Sequence, residues 1–137
     1  MNSGARPEGG LPTLFIDRDA WSHVLDAELR AAGIPSVAHR DMFKPDTPDA
    51  EWITEVGRQG WVVITRDQNI RRRPNELRAV RAAGLHLFAL TSGNLSAAET
   101  ATVILKAWRA IQHHAAHTPA PALFSVSRSG DVRLMKQ

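Results

Sequence analysis

No cysteine occurs among the 137 residues, which excludes disulfides, thiolate zinc sites and a cysteine nucleophile, and is compatible with a reducing cytoplasm. No apolar run is long enough to span a membrane. Lysine is scarce: Lys44, Lys106 and Lys136 stand against fourteen arginines, so most of the positive charge is guanidinium. Aromatics are few, and Trp21, Trp52, Trp61 and Trp108 fall on expected buried faces, which leaves little to stack against nucleobases. Residues 1–12 carry Gly, Pro, Arg and Glu without an apolar stretch, so they read as a disordered N-terminal tail rather than a signal peptide. Residues 13–137 remain as one domain, and 43% hydrophobic content supports a single modest core.

What is present is an alternation of strand and helix patterns. Thr13 to Asp17 is a short apolar run ending in a carboxylate, the pattern of a buried first strand. Trp21, Val24, Leu25, Leu29 and Ala32 form a helical stripe that Gly33 and Pro35 stop. Ser36 to Arg40 reads as a second strand ending at Asp41. A Pro-containing loop leads to a helix in which Thr47 is the expected N-cap and Pro48 the first helical residue. Asp49, Trp52, Ile53 and Val56 share one face of that helix, and Glu51 and Glu55 point elsewhere. Gly60 closes it, and Trp61 to Thr65, apolar and β-branched, fits a central parallel strand that runs out at Arg66 and Asp67. Asn75 to Ala83 then forms a helix closed by Gly84, and Leu85 to Leu90 a fourth strand. Ser96 to Glu99 forms a capping box before a long helix to about His114. Ala122 to Ser127 and Asp131 to Met135 complete a small C-terminal hairpin. With right-handed crossovers this order predicts an α/β fold, a three-layer α/β/α sandwich on a mostly parallel sheet.

Asp17, Asp41, Asp49 and Asp67 each stand where a strand stops or a helix begins, so the pattern gathers them at the carboxyl edge of the sheet, where α/β folds bind ligands. Like charges so placed repel unless a cation neutralises them, and an oxygen-only set favours Mg²⁺ or Mn²⁺ over zinc. Asp19 and Asp46 read as helix or turn caps. Seven arginines and two acids lie between Arg58 and Arg81, whereas Asp41 to Glu55 holds five acids and one lysine. An acidic pocket beside a basic ridge suits a polyanion held by arginine while a cation acts on one phosphate; the same pattern also describes two solvated helix faces. Arg66, Arg71, Arg72 and Arg73 leave the same sheet edge and are the expected contacts to flanking phosphates, with Asn69 among them as a further expected nucleic-acid contact. His113 and His117 share a helix face at a spacing able to grip a transition metal, and they equally complement the helix C-terminus.

The segments Phe15 to Arg18, His39 to Phe43, Asp49 to Trp52, Gly60-Trp61 and Ile64 to Asp67, in this order and spacing, resemble the PIN-like domain, in particular relatives of VapC-type toxin ribonucleases. The resemblance runs from about Thr13 to the hairpin. It implies cleavage of single-stranded RNA with Mg²⁺ or Mn²⁺, with Asp17, Asp49 and Asp67 as catalytic metal ligands and Asp41 as a fourth catalytic candidate. It also implies a toxin with a cognate antitoxin protein, a homodimer and a cytoplasmic setting. The chain departs from the family pattern between Leu85 and Asn94, which offers no carboxylate, so Asn69 or Asp41 would complete the site. Two other classes compete. Leu14 to Asp19 also resembles the opening motif of haloacid-dehalogenase-type phosphatases, with Asp17 as nucleophile and Asp19 as acid/base. A non-catalytic RNA- or partner-binding module is the third.

Overall fold

Strands short enough to be wholly buried need apolar side chains on both faces, and the central strands of this chain have them. The computed structural model describes residues 10–135, with the side chain of Arg71 also outside the described residues. Strands β1 (Leu14–Ile16), β2 (Ser36–Ala38), β3 (Val62–Thr65), β4 (His86–Leu90), β5 (Ala122–Val126) and β6 (Val132–Leu134) form one sheet in the order β2-β1-β3-β4-β5-β6. The first five are parallel, and β6 returns antiparallel to β5. The chain steps one way from β1 to β2 and the other way from β3 onward, so the direction of winding reverses between the neighbours β1 and β3. In a doubly wound sheet that reversal opens a crevice at the strands' carboxyl ends.

Alternate side chains divide the core into two layers. On one side Leu14, Ile16, Ile64, Phe88 and Phe124 pack under α1 (His23–Ala31) and α5 (Ala97–His117), through Leu25, Leu29, Ile104, Ala107 and Ile111. On the other, Phe15, Val63, Leu87 and Leu123 meet Trp52, Ile53 and Val56 of α3 (Asp49–Gln59) and Val80 of α4 (Pro74–Ala83). The result is the expected three-layer α/β/α sandwich. Gly60 and Gly84 close α3 and α4 in the left-handed conformation, at φ 75° and 67°, and both hydrogen bonds of the capping box at Ser96 and Glu99 are formed. Among the described residues no helix is long and apolar enough to cross a membrane.

Several local expectations change. The second strand ends at Ala38, and residues His39–Met42 coil as α2, because the His39 ring is drawn into a pocket of Phe15, Phe43 and Trp52. Pro48 takes the N-cap position of α3 and Asp49 is its first residue; the Thr47 N–H bonds to the Lys44 carbonyl in the preceding turn instead. Trp21 precedes α1, which Ser22 caps, and Val24 and Ala32 are exposed. The last helix extends to His117. The C-terminal hairpin is continuous with the main sheet, since β5 pairs in parallel with β4 along its whole length. Of the expected tail, residues 1–9 lie outside the described residues, while Pro12 is buried.

Candidate active site

At the reversal between β1 and β3, side chains from both strand exits are tied to one another. The Asp17 N–H bonds to the Ile64 carbonyl at 2.9 Å, so β3 fixes the backbone carrying this carboxylate. The fully buried Thr65 hydroxyl donates to Asp17 Oδ2 at 2.9 Å and accepts from the Asp67 N–H at 3.1 Å, and the Arg18 N–H donates to Asp17 Oδ1 at 2.8 Å. Asp19 accepts from the Arg66 N–H at 3.1 Å. Asp67 accepts from the Asn69 N–H at 3.0 Å and from the Arg73 guanidinium. Asp49, at the start of α3, accepts from the Trp52 indole N–H at 2.8 Å. Asp17, Arg18, Asp19, Asp49 and Asp67 line one cleft of about 420 Å³.

The electrostatics follow from this crowding. Burial, and then the Asp19 charge, push the Asp17 carboxyl up to about 6 against the opposing bonds from Thr65 and Arg18. Burial and the Asp67 charge raise Asp19, opposed by the Arg66 N–H. Glu76, in the first turn of α4, faces Asp49; burial and that carboxyl raise it, and Arg73, 3.1 Å away, lowers it. Arg73 therefore bridges Asp67 and Glu76 as an internal counter-ion.

The expected ligands Asp17, Asp49 and Asp67 thus share one cleft. Asp41 does not line it: the coiling of α2 leaves this carboxylate exposed. Asn69 contributes a backbone N–H to Asp67, and its side chain is exposed and outside the cleft lining. Two carboxylates outside the expected metal-ligand set stand at the site. Asp19 forms part of the wall rather than a helix cap, and Glu76 lies against Asp49. The signals were the Asp-Arg-Asp spacing in a turn directly after β1, and an acid in the first turn of the helix that follows Asp67. The basic ridge is partly spent inside the molecule: the Arg66 guanidinium donates to the Gly93 carbonyl at 2.6 Å and Arg73 is held by Asp67 and Glu76, while Arg72 is exposed. The side chain of Arg71 lies outside the described residues. His113 and His117 lie with ring centroids 4.7 Å apart at the far end of α5, where His114 bonds to the Thr118 hydroxyl at 2.8 Å and His86 to the Thr118 carbonyl at 2.6 Å.

Among the described residues no group of three or more His, Asp or Glu side chains stands ready to cage one ion. Asp17, Asp49 and Asp67 nonetheless line one cleft, and an oxygen-only donor set is the kind that hard divalent cations take. Carboxylates whose charge burial disfavours also gain from a divalent neighbour.

The profile of the PIN-like domain matches residues 12–92, more than half of the chain and the whole of the acidic cleft with Glu76. The chain belongs to the PIN-like domain family. This PIN-like chain is also 29% identical over 129 residues to a Mycobacterium tuberculosis protein named "Putative ribonuclease VapC45", covering 91% of this chain and 93% of that protein. No solved structure matches it significantly. The phosphatase resemblance gains no support beyond the opening motif, which the PIN-like match also contains.

Proposed function

We propose that this chain is a metal-dependent endoribonuclease that hydrolyses phosphodiester bonds of single-stranded RNA. The observation that carries this reading is the convergence of Asp17 and Asp19 from the turn after β1, Asp49 from the start of α3 and Asp67 from the exit of β3 on one cleft at the sheet's reversal point in a PIN-like chain. Asp17, Asp49 and Asp67 are the residues to hold Mg²⁺ or Mn²⁺. When bound, such an ion supplies Lewis acidity at the phosphate and lowers the pKa of a coordinated water. Thr65 orients Asp17 by the bond to Oδ2. Arg73 neutralises Asp67 and Glu76, which offsets repulsion inside the cluster. Arg72, which is exposed, and Arg71 beside it in sequence would take flanking phosphates, and Asn69 would hydrogen-bond the strand.

The similarity to a protein named "Putative ribonuclease VapC45" supports the ribonuclease reading. We further propose a cytoplasmic toxin whose cognate antitoxin protein enters the acidic crevice, and a homodimer. One alternative has its own observation. The Arg73 guanidinium seated on Asp67 and Glu76 competes with a metal ion for the Asp67 carboxylate, which favours a non-catalytic RNA- or partner-binding module.

The two are separated by incubating the purified chain with a mixed set of single-stranded RNAs in Mg²⁺ or Mn²⁺, beside Asp17→Asn and Asp67→Asn variants shown to be folded. The nuclease reading expects cleavage that EDTA abolishes. It also expects each substitution to cut the rate by about 100-fold or more, since even outer partners of a metal ligand are worth roughly 10–100-fold. RNA that binds but stays intact with wild type under both metals would overturn it in favour of the binding module.

A further inference from the structure

A second concavity opens beside the acidic cleft. It measures about 310 Å³, is lined by Arg18, Trp21, Arg40 and Pro45, and shares Arg18 with the cleft. No carboxylate lines it, in contrast to its neighbour. Trp21 is only half buried: it packs against the core layer beneath α1 and α5 and also forms a wall of the concavity. The Arg40 guanidinium lies over its ring, 4.6 Å from the centroid, and the His23 ring meets it edge-on at 4.7 Å. Neither Arg18 nor Arg40 has a carboxylate within ion-pair distance among the described residues.

This aromatic wall is held to the candidate catalytic strand. The N–H groups of Ala20 and Trp21 both bond to the Asp17 carbonyl, at 3.0 and 3.1 Å. The Trp21 ring therefore rides on the same tight turn as the Asp17 carboxylate, and Ser22, capping α1 through Leu25, fixes the far side of that turn. A ligand that reaches this concavity while its phosphate lies in the acidic cleft has to be continuous across Arg18. A π face covered by the exposed Arg40 guanidinium, a second guanidinium and no acid match a nucleotide whose base takes the place of Arg40 on the ring, while Arg18 and the displaced Arg40 meet its phosphates.

We infer that the Trp21 concavity is a nucleotide subsite of the RNA path: one unpaired base lies against the Trp21 ring, and the phosphates beside it meet Arg18 and Arg40. The inference rests on the ribonuclease reading for the identity of the polymer. A base can enter only if it is splayed out of a helix, so the subsite selects single strands over duplex. Stacking accepts any base, so selectivity among bases at this position is weak.

The test measures affinity rather than cleavage. Fluorescence anisotropy with a short labelled single-stranded RNA of mixed sequence, in EDTA and with RNA integrity checked on a gel, compares wild type with Trp21→Ala, Trp21→Phe and Arg40→Gln. Trp21→Ala is expected to weaken binding by about 10-fold or more, the scale of one lost base stack. Trp21→Phe, which keeps an aromatic face and the packing, should lose only a few-fold. Arg40→Gln should weaken binding and flatten its salt dependence, as removal of one phosphate contact does. A duplex of the same sequence should be indifferent to Trp21→Phe and Trp21→Ala.

A folded Trp21→Ala protein that binds like wild type, a folded Arg40→Gln protein that does so with an unchanged salt dependence, or equal sensitivity for duplex and single strand, overturns the subsite. The outcomes remain distinct from those of the cleavage assay. Binding that depends on Trp21 without turnover in Mg²⁺ or Mn²⁺ keeps the subsite and defeats the nuclease reading. Turnover with affinity indifferent to Trp21 and Arg40 does the reverse, leaving the concavity free for a protein partner.

Discussion

Asp17 concentrates the conflict of the cleft in one side chain. Burial holds its carboxyl up to about 6 from an ordinary 3.8, so the folded protein keeps a proton that the unfolded chain has released. Stability attributable to this group is full below about pH 4, falls as pH rises towards 6, and stays lowered above it. Asp17→Asn keeps an acceptor for the Arg18 N–H and lets the Thr65 hydroxyl reverse its bond. It is therefore expected to stabilise the metal-free protein by about 3 kcal/mol at pH 8, on a scale of about 1.4 kcal/mol per pKa unit, and by little at pH 4. Urea unfolding at the two pH values checks this, and an equal loss of stability at both would contradict it. Functional loss joined to a gain in stability is what a site residue, rather than a packing residue, should show.

At the scale of elements, the approach of α3 to α4 sets the site, since these helices carry Asp49 and Glu76. Gly57 makes it possible: a Cβ there would lie 2.6 Å from the Ala83 Cβ and 2.7 Å from its carbonyl oxygen. Gly57→Ala gains up to about 1 kcal/mol in helix propensity but must push the helices apart. A net destabilisation of about 1–3 kcal/mol is expected, read as a lower denaturant midpoint, with the overpacking cost outweighing the propensity. An unchanged or raised midpoint would mean that the two helices give way freely. Sequence periodicity identified both helices and their glycine stops at Gly60 and Gly84, yet Gly57 carried no signal of its own. Its importance arises from Ala83, twenty-six residues away in the chain.

For the whole molecule, a divalent cation that binds only the folded cleft must raise stability by mass action. Mg²⁺ at about 100 times its Kd is expected to add about 2.7 kcal/mol, seen as a rise in Tm at pH 8. The same titration on an Asp17→Asn, Asp67→Asn double variant should give almost none of it. An identical shift in both proteins would place the ion elsewhere.

Much of this architecture is written in local pattern. The alternation of apolar runs with helical stripes, the capping box at Ser96 and Glu99, and carboxylates at the ends of β1 and β3 all follow from periods of two and 3.6 residues. Such periods determined the α/β class and placed Asp17, Asp49 and Asp67 at one edge. They carry no information about which strands become neighbours. Only the pairing of β1 with β3 brings the Thr65 hydroxyl to Asp17 across 48 residues and sets Asp19 against the Arg66 N–H as part of the wall. The same packing buries His39, coils α2 and leaves Asp41 outside, while the turn at Asp17 presents one side of Trp21 to a concavity. A side chain's role in a charge cluster depends on partners distant in sequence, and in this chain long-range strand order decided those partners.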